Sequence, residues 1–249
     1  MLLLAHISDL HHGGSPRARD RVERVVGYLA TLAVQPAAVL VSGDIADHGL
    51  PAEYEEAVGA LAGLRAPVLV VPGNHDYRSA FRAAFPAPDG EPPEGPINAV
   101  ADVGGVRIAL CDSTIPGAGA GHLDDTTIAW LEALLVDTPA ETPVLIAFHH
   151  PPVVLHHPYL DGIRQHHPDK LHDLVRRHPQ VAAILCGHAH TAAVTTFAGV
   201  PCVVAPAVSS TLVLPWVADA IVDYDSPPGV AFHVLDDDGR LTTHFRTVG

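Results

Sequence analysis

The amino-acid sequence predicts an α/β protein in which helices cover a sheet of parallel or mixed strands. Three apolar segments, residues 2–7, 37–42 and 68–71, have the composition of buried strands and alternate with two amphipathic segments. A β-α-β-α-β order is typical of parallel strands joined by crossover helices. Each of the three apolar segments also runs directly into a short polar motif, where α/β proteins commonly place their chemistry.

The two helices between these strands are predicted from side-chain spacing and from a proline. Over residues 17–34, valines and leucines recur every three or four positions, which is the spacing of one helix face. The second helix begins at Pro51, because proline fits the first turn of a helix, and it places Tyr54, Ala57 and Leu61 on one face.

The second half of the chain predicts a further set of strands and helices. Residues 86–96 are rich in proline, glycine and acidic residues and predict a surface loop. The remaining predicted elements are, in chain order, a hairpin of residues 97–103 and 106–111, a helix capped by Asp124 or Asp125, a strand at 144–148, a loop at 156–167, a helix at 168–178, a strand at 181–186 and, from Ala192, β-hairpins.

No repeat, low-complexity tract or linker divides the 249 residues, so we predict a single domain over residues 1–249. Its β-rich tail, from about residue 212, contains the apolar stretch Pro215-Trp216-Val217, which favours either a homodimer contact or core packing. No run approaches the ~18 apolar residues of a membrane span, and Met1–Ile7 lacks the features of a secretion signal. We therefore expect a cytoplasmic protein without a membrane span.

The composition of the chain excludes some partners. The formal net charge is -14 with only 14 Lys and Arg, so the basic surface that a nucleic-acid polymer requires is missing. An acidic protein that handles phosphate esters needs positive charge from another source, and bound metal ions supply it. Cys111, Cys186 and Cys202 each lie in an apolar run and predict buried free thiols in a reducing compartment.

Histidine is abundant, with 18 residues, and many of them directly follow apolar runs. Five strand-end motifs contain Asp, Asn or His: Asp9-x-His11, Gly43-Asp44, Gly73-Asn74-His75-Asp76, His149-His150-Pro151 and Gly187-His188-x-His190. Because the carboxyl ends of parallel strands meet at one edge of a sheet, we expect these side chains to converge. Nitrogen and oxygen donors without cysteine favour Fe, Mn, Zn or Co. About seven ligands are too many for one ion and suit two ions that share a carboxylate.

Each motif alone is weak, since a single strand-end histidine is more often a hydrogen-bonded structural residue. Gly-Asn-His-Asp and Gly-His-x-His are more specific, and all five motifs in this order favour a metal centre over a structural role. The glycines at 43, 73 and 187 precede candidate ligands and are expected to allow the tight turns that aim those ligands into the site.

In these five motifs and in the segments around them, the chain resembles the calcineurin-like metallophosphoesterases over nearly its whole length. It looks most like the bacterial class III cyclic-nucleotide phosphodiesterases and their glycerophosphodiesterase relatives. The flanks that support this are residues 43–47 with 51–54, 149–152, 186–190, 195–199 and Ala205-Pro206. The resemblance implies a four-layer α/β/β/α sandwich of two mixed β-sheets flanked by helices, with the site at the strand ends.

The resemblance also assigns roles to the motif residues. It implies one metal ion held by Asp9, His11 and His190, a second held by Asn74, His149 and His188, and Asp44 bridging both. Family usage of His-x-Pro selects His149 over His150. His75 is assigned to the substrate phosphate and the leaving oxygen, which suits an imidazole beside metal ions. Asp76 either orients His75 or is a solvated turn residue. Asn74 and His48 are further candidates for substrate contact.

The expected activity is that of a dinuclear metal-dependent phosphodiesterase acting on small phosphodiesters, foremost 3',5'-cyclic nucleotides such as cAMP. A hydroxide between the two metals, with Fe and Mn favoured, is the expected nucleophile. Glycerophosphodiesterase and broad-specificity phosphomonoesterase activity are the enzymatic alternatives, and the negative charge disfavours a nuclease. A non-catalytic interaction scaffold is the remote alternative, because the full ligand set is present. The loop histidines, His157 among them, are expected to be solvated.

Overall fold

Two β-sheets packed face to face, with helices on both outer faces, form the protein. The structure is a computed structural model that describes residues 1–86 and 94–249. Its helices are α1 Pro16–Ala30, α2 Pro51–Leu61, α3 Arg78–Ala84, α4 Asp125–Asp137, α5 Pro158–Ile163 and α6 Asp169–Arg177. Its strands are β1 Leu2–Ile7, β2 Ala38–Val41, β3 Val68–Val70, β4 Ala99–Val103, β5 Val106–Leu110, β6 Val144–Ala147, β7 Val181–Cys186, β8 Ala193–Phe197, β9 Val200–Val204, β10 Thr211–Leu212, β11 Val222–Asp223, β12 Gly229–Leu235 and β13 Leu241–Thr247.

Both large sheets are mixed. The first has the order β13-β12-β1-β2-β3, in which β1, β2 and β3 are parallel and β12 and β13 are antiparallel. The second has the order β4-β5-β6-β7-β9-β8, in which β5, β6, β7 and β9 are parallel. The parallel centres place the carboxyl ends of β1, β2, β3, β6 and β7 at one edge of the sandwich.

Three apolar clusters hold the four layers together. One packs α1, α2 and α3 on the first sheet, and a second packs α4, α5 and α6 on the second sheet. The third lies between the sheets, where Leu4 and Leu40 face Ile108 and Leu145. Alternate residues of the buried strands therefore pack into two different cores, which is why these strands are apolar on both faces. The predicted α/β/β/α sandwich is confirmed.

Some predicted boundaries are wrong. The first helix ends at Ala30 rather than Val34, because the amide of Gln35 donates to the carbonyls of Leu29 (3.2 Å) and Leu32 (2.9 Å) and closes the helix end. The segment 156–167 is not a plain loop but contains α5, with Pro158 in its first turn. The sequence did not predict α3, a short helix after the Gly73-Asn74-His75-Asp76 turn.

The β-rich tail is divided between two places. β12 and β13 join the first sheet beside β1 and so belong to its core, whereas β10 and β11 form a small separate hairpin. Of the predicted loop at 86–96, residues 87–93 lie outside the described residues. Across residues 1–86 and 94–249, helices long and apolar enough to span a membrane are absent.

Candidate metal centre

Five turns at the strand ends come together where the two sheets meet. Backbone hydrogen bonds join them: Asp9 N donates to the carbonyl of Gly43 (3.0 Å), His11 N to that of Asp44 (2.9 Å), and Gly187 N to that of His149 (3.0 Å). These bonds continue the strand pairing beyond the sheets, so the polar side chains of separate motifs converge as the sequence predicted.

Asp9, His11, Asp44 and His190 form one cluster, with a donor atom of each within 4.8 Å of the others. His190 Nε2 lies 3.3 Å from Asp9 Oδ1 and 3.2 Å from His11 Nε2. His11 Nε2 is also 3.6 Å from Asp44 Oδ2. The donor atoms therefore point at a common centre.

A second cluster adjoins the first across Asp44. His149 Nε2 lies 3.3 Å from Asp44 Oδ2 and 3.2 Å from His188 Nδ1. Asn74, which lines the same cleft as His188, has its Oδ1 buried without a hydrogen-bond partner. His150 also lies close to His149 and His188; its Nδ1 pairs with Ser113 Oγ at 2.8 Å and its Nε2 is buried without a hydrogen-bond partner. Asp44 thus touches both clusters, which is the position of a bridging carboxylate.

The outward-facing nitrogens of three candidate ligands are held by other protein groups. His11 Nδ1 pairs with Asp47 Oδ1 (2.8 Å), His149 Nδ1 with the Ser42 carbonyl (2.6 Å) and His190 Nδ1 with Ser210 Oγ (2.9 Å). Such partners fix the ring orientation and leave the Nε2 lone pair free for a metal ion. Asp47, three residues after Asp44, is thereby placed beside His11 and holds its ring.

Unpaired buried oxygens test whether this donor set fits metal ions. Both carboxylate oxygens of Asp9, like the amide oxygen of Asn74, are buried without a hydrogen-bond partner. A buried carboxylate left unpaired is costly, and coordination to a cation removes that cost. The arrangement fits two cations that prefer oxygen and imidazole ligands.

The electrostatics of the centre depend on Asp44. Burial alone would raise the pKa of Asp44, but His149, His11 and His75 hold it well below its ordinary value. Burial would likewise lower the pKa of His149, but Asp44 and Asp9 raise it to about 9. The metal-free centre therefore favours a protonated His149 beside an ionised Asp44.

Five candidate ligands have a backbone conformation that is rare for residues other than glycine. Asp9 (φ 56°), His11 (49°), Asp44 (50°), His188 (67°) and His190 (50°) all lie in the left-handed region. Such residues cost about 1–3 kcal/mol each and persist only where the surrounding structure holds them, most often at functional sites. The backbone conformation therefore supports a functional role for five of the seven candidate ligands, independently of their side-chain chemistry.

Two of the glycines that precede candidate ligands, Gly43 and Gly73, have specific geometric roles. Gly43 has φ 97°, and a Cβ there would lie 2.5 Å from His149 Nδ1. Gly73 has no positive φ, but a Cβ there would collide with the carboxylate of Asp44. The predicted need for a tight turn therefore holds at Gly43, whereas Gly73 is needed for close approach.

His75 lies beside the first cluster and faces the solvent cleft. Its Nδ1 donates to the carbonyl of Asp47 at 2.7 Å, and its ring is 4.7 Å from that of His11. Its backbone N donates to Asp44 Oδ1 at 2.9 Å, which fixes the turn relative to the candidate bridging residue.

The idea that Asp76 either orients His75 or is solvated is wrong on both counts. The Asp76 carboxylate is buried and accepts from Gly73 N (2.8 Å), Ala46 N (3.1 Å) and Tyr54 Oη (2.9 Å). Burial, with Asp44 nearby, raises its pKa to about 6. Asp76 thus stabilises the turn through these hydrogen bonds, and the carbonyl of Asp47 orients the imidazole of His75 instead.

Two clefts open on either side of His75, and both are lined by His75, Asp47 and Asn74. The larger, of about 600 Å³, is lined by five of the seven candidate ligands and extends to α5 and the β10–β11 hairpin. The smaller, of about 360 Å³, is lined by His48, Tyr77 and Arg78. His48 is well exposed, and its hydrogen bond to Glu53, with Asp47 nearby, raises its pKa. The sequence-predicted His48 therefore lies at the rim and does not touch the metal cluster.

Residues 2–192 match the family model described as calcineurin-like phosphoesterase. The chain belongs to the calcineurin-like phosphoesterase family. Its metal-binding centre of Asp and His residues at the strand ends agrees with that membership.

Relatives within the family have named activities. The glycerophosphodiester phosphodiesterase GpdQ of Enterobacter lignolyticus is 37% identical over 207 residues, which cover 79% of this chain and 73% of the relative. The 3',5'-cyclic adenosine monophosphate phosphodiesterase CpdA of Pseudomonas aeruginosa is 31% identical over 251 residues, covering 97% and 88%. A dimetal phosphatase from Danio rerio shares the fold, with a TM-score of 0.67, 13% identity and coverage of 100% and 99%.

Proposed function

We propose that this protein is a dinuclear metal-dependent phosphodiesterase that hydrolyses small phosphodiesters, foremost 3',5'-cyclic nucleotides such as cAMP. The observation that carries the proposal is the pair of clusters joined by Asp44, with His75 beside them at the cleft. The relatives named for cyclic-nucleotide and glycerophosphodiester hydrolysis support the same reaction class.

Seven residues are proposed to hold the two ions. Asp9, His11 and His190 hold one, Asn74, His149 and His188 hold the other, and Asp44 contacts both. When bound, the ions supply Lewis acidity that activates water and neutralises the charge of the phosphate. Iron and manganese are our favoured pair, because the donors are carboxylate, amide and imidazole without thiolate.

His75 is proposed to serve the leaving group. Because its Nδ1 donates to a backbone carbonyl, the second ring proton of the cationic form is on Nε2. That nitrogen can bind a phosphate oxygen and pass its proton to the leaving alkoxide. Asn74 and His48 are proposed as further substrate contacts, since both line the smaller cleft together with His75.

The test compares two substrates that differ in their leaving group. With Mn²⁺ added, we expect wild type to hydrolyse cAMP and bis(p-nitrophenyl) phosphate. His75→Asn should lose about 10²–10⁴-fold in kcat on cAMP, whose alkoxide needs a proton, and much less on the nitrophenyl ester. Asn74→Ala should lose activity on both substrates together with bound metal. His172→Asn, an exposed histidine on α6, is the matched control. Full rates in both site variants would contradict the assignment.

The alternatives differ in substrate or in kind. A glycerophosphodiesterase or phosphomonoesterase would turn over glycerophosphodiesters or p-nitrophenyl phosphate faster than cAMP. A non-catalytic scaffold would contain little stoichiometric metal after purification, which metal analysis detects.

We further propose a single domain in the cytoplasm, supported by three buried free cysteines. A homodimer contact at Trp216 and Val217, both exposed, is also proposed and is testable by light scattering of Trp216→Ser.

A further inference from the structure

The larger cleft has two chemically different halves. The inner half contains the metal-centre residues, with His75 at its edge. The outer half is lined mainly by Tyr159 and Ile163 of α5, and by Leu212, Val222 and Tyr224 of the β10–β11 hairpin and the residues after it. We call these five outer residues the aryl subsite.

The aryl subsite presents rings to solvent at the mouth of the centre. Tyr159 is 56% exposed, Tyr224 is 59% exposed and Val222 is 36% exposed. Single exposed apolar residues are common on proteins, but three that converge on one catalytic cleft indicate a surface that a ligand covers.

Hydrogen bonds from buried side chains hold the walls of this subsite in place. The imidazole of His157, which is buried rather than solvated as the sequence suggested, donates from Nε2 to the Val213 carbonyl at 3.2 Å. This bond connects the wall that carries Tyr159 to the hairpin. The backbone of the hairpin is also tied to the metal centre, because Leu212 N donates to the His190 carbonyl at 3.1 Å.

The second tyrosine is anchored from α1. The buried guanidinium of Arg21 donates to the carbonyls of Tyr224 (3.2 Å), Ser226 (2.7 Å) and Val208 (2.6 Å). A subsite whose backbone is fixed in this way loses little conformational freedom when a ligand enters.

The charges around the subsite indicate which ligand group it takes. The cation that lines the outer half, Arg17, pairs with Asp225 at 2.6 Å and offers no surplus positive charge for a second phosphate. A small polar alcohol such as glycerol would leave both tyrosine rings uncovered. A planar, largely apolar ring would cover them and would stack on their faces.

We propose that the aryl subsite binds the nucleobase of a 3',5'-cyclic nucleotide, with Tyr159 and Tyr224 as specificity-determining residues. The inference rests on the proposed function for the phosphate end of the substrate. The smaller cleft is a poorer fit for a base, because its lining contains one tyrosine, Tyr77, where the larger cleft has two. The exposed ring of His172 on α6 lines neither cleft and serves as an internal control.

The test distinguishes binding of the base from binding of the phosphate. Tyr159→Ala and Tyr224→Ala should each raise KM for cAMP about tenfold with kcat within about twofold, because stacking on an aromatic ring contributes roughly this much binding. Hydrolysis of glycerophosphoethanolamine, which has no ring, should keep its kcat/KM. Tyr159→Phe and Tyr224→Phe should restore the cAMP value, and His172→Ala should change the kinetics of neither substrate.

A second measurement is independent of hydrolysis. Saturation-transfer NMR with adenosine, which lacks phosphate, should show base protons contacting wild type and losing that contact in the double alanine variant. Equal losses on cAMP and glycerophosphoethanolamine, or unchanged values on both, would overturn the aryl subsite. If wild type binds adenosine but hydrolyses no diester, the proposed function fails while the subsite stands.

Discussion

The protein contains two groups of buried histidines that differ in how their ring nitrogens are used. In the first sheet, His6 Nδ1 pairs with His233 Nε2 at 3.0 Å, His6 Nε2 with Ser42 Oγ at 2.8 Å and His233 Nδ1 with Thr243 Oγ1 at 2.8 Å. Every ring nitrogen of this closed pair has a protein partner. At the metal centre, the outward-facing nitrogens also have protein partners. The inward-facing nitrogens instead lie close to other imidazole nitrogens and to Asp9, whose carboxylate oxygens have no hydrogen-bond partner.

The comparison shows that burial does not by itself mark a functional histidine. The closed pair satisfies its own hydrogen bonds and contributes to the interior between the sheets, where a neutral imidazole is tolerated because it is paired. The metal centre leaves donor atoms unsatisfied in one small volume, which is unfavourable until a cation enters. Substitutions in the two groups should therefore have opposite consequences.

The largest effect is expected at the carboxylate between the two clusters. Asp44→Asn keeps the shape of the side chain but removes its negative charge, so we expect kcat/KM on cAMP to fall on the order of 10³-fold or more. Bound metal should fall below two ions per chain by mass spectrometry of metal content. A variant that keeps two ions and more than about a tenth of the rate would rule out the bridging role.

The closed pair should respond in stability instead. His233→Phe leaves His6 Nδ1 and Thr243 Oγ1 without their partner, so the free energy of unfolding should fall by about 1–3 kcal/mol in urea. Metal content and the cAMP rate at 25 °C should stay within about twofold of wild type. Loss of metal with unchanged stability would show that the two groups are not separate.

The metal centre should also show a distinctive dependence on pH. The pKa of His149 is raised to about 9, so metal binding must displace its proton throughout the neutral range. We expect metal affinity to rise about tenfold per pH unit and to level off near pH 9. Competition with a chromophoric chelator measures this, and a plateau already at about pH 6.5, the ordinary pKa of histidine, would contradict the prediction.

The last effect concerns the stability of the closed pair in acid. Burial lowers the pKa of His233 to about 3, so the unfolded chain binds the proton more readily than the folded one. Its contribution to stability is complete above about pH 6.5 and is lost as the pH falls toward 3, at a rate of at most about 1.4 kcal/mol per pH unit. Urea titrations in the presence of chelator should therefore show a steeper acid loss for wild type than for His233→Phe.

The architecture and the main site residues could be predicted because their signals are local. An apolar strand followed by Asp, Asn or His is visible in a few residues, as at Ile7 and Asp9 or Cys186 and His188. The order of the elements then determines which strands have their carboxyl ends at the same edge of the sheet. The resemblance to a known family added the second sheet and the division of ligands between two ions.

What could not be predicted depends on contacts between distant segments. Asp76 has its partners in Ala46 and Tyr54, which only the folded sheet and α2 bring to it. The aryl subsite combines α5 with a hairpin about 50 residues further along the chain. One missed element did have a local signal: Pro158 directly after a capping histidine is a helix start, and it places His157 as the cap of α5.

The left-handed backbone of the five ligand residues has a consequence for protein design. Copying Asp-x-His and Gly-His-x-His onto another scaffold would transfer the donor atoms but not the direction in which the backbone presents them. In an ordinary extended or helical conformation the same side chains would diverge. A transplanted centre would therefore have to import the interlocking turns, with Gly43 and Gly73 at their contact, as a single unit.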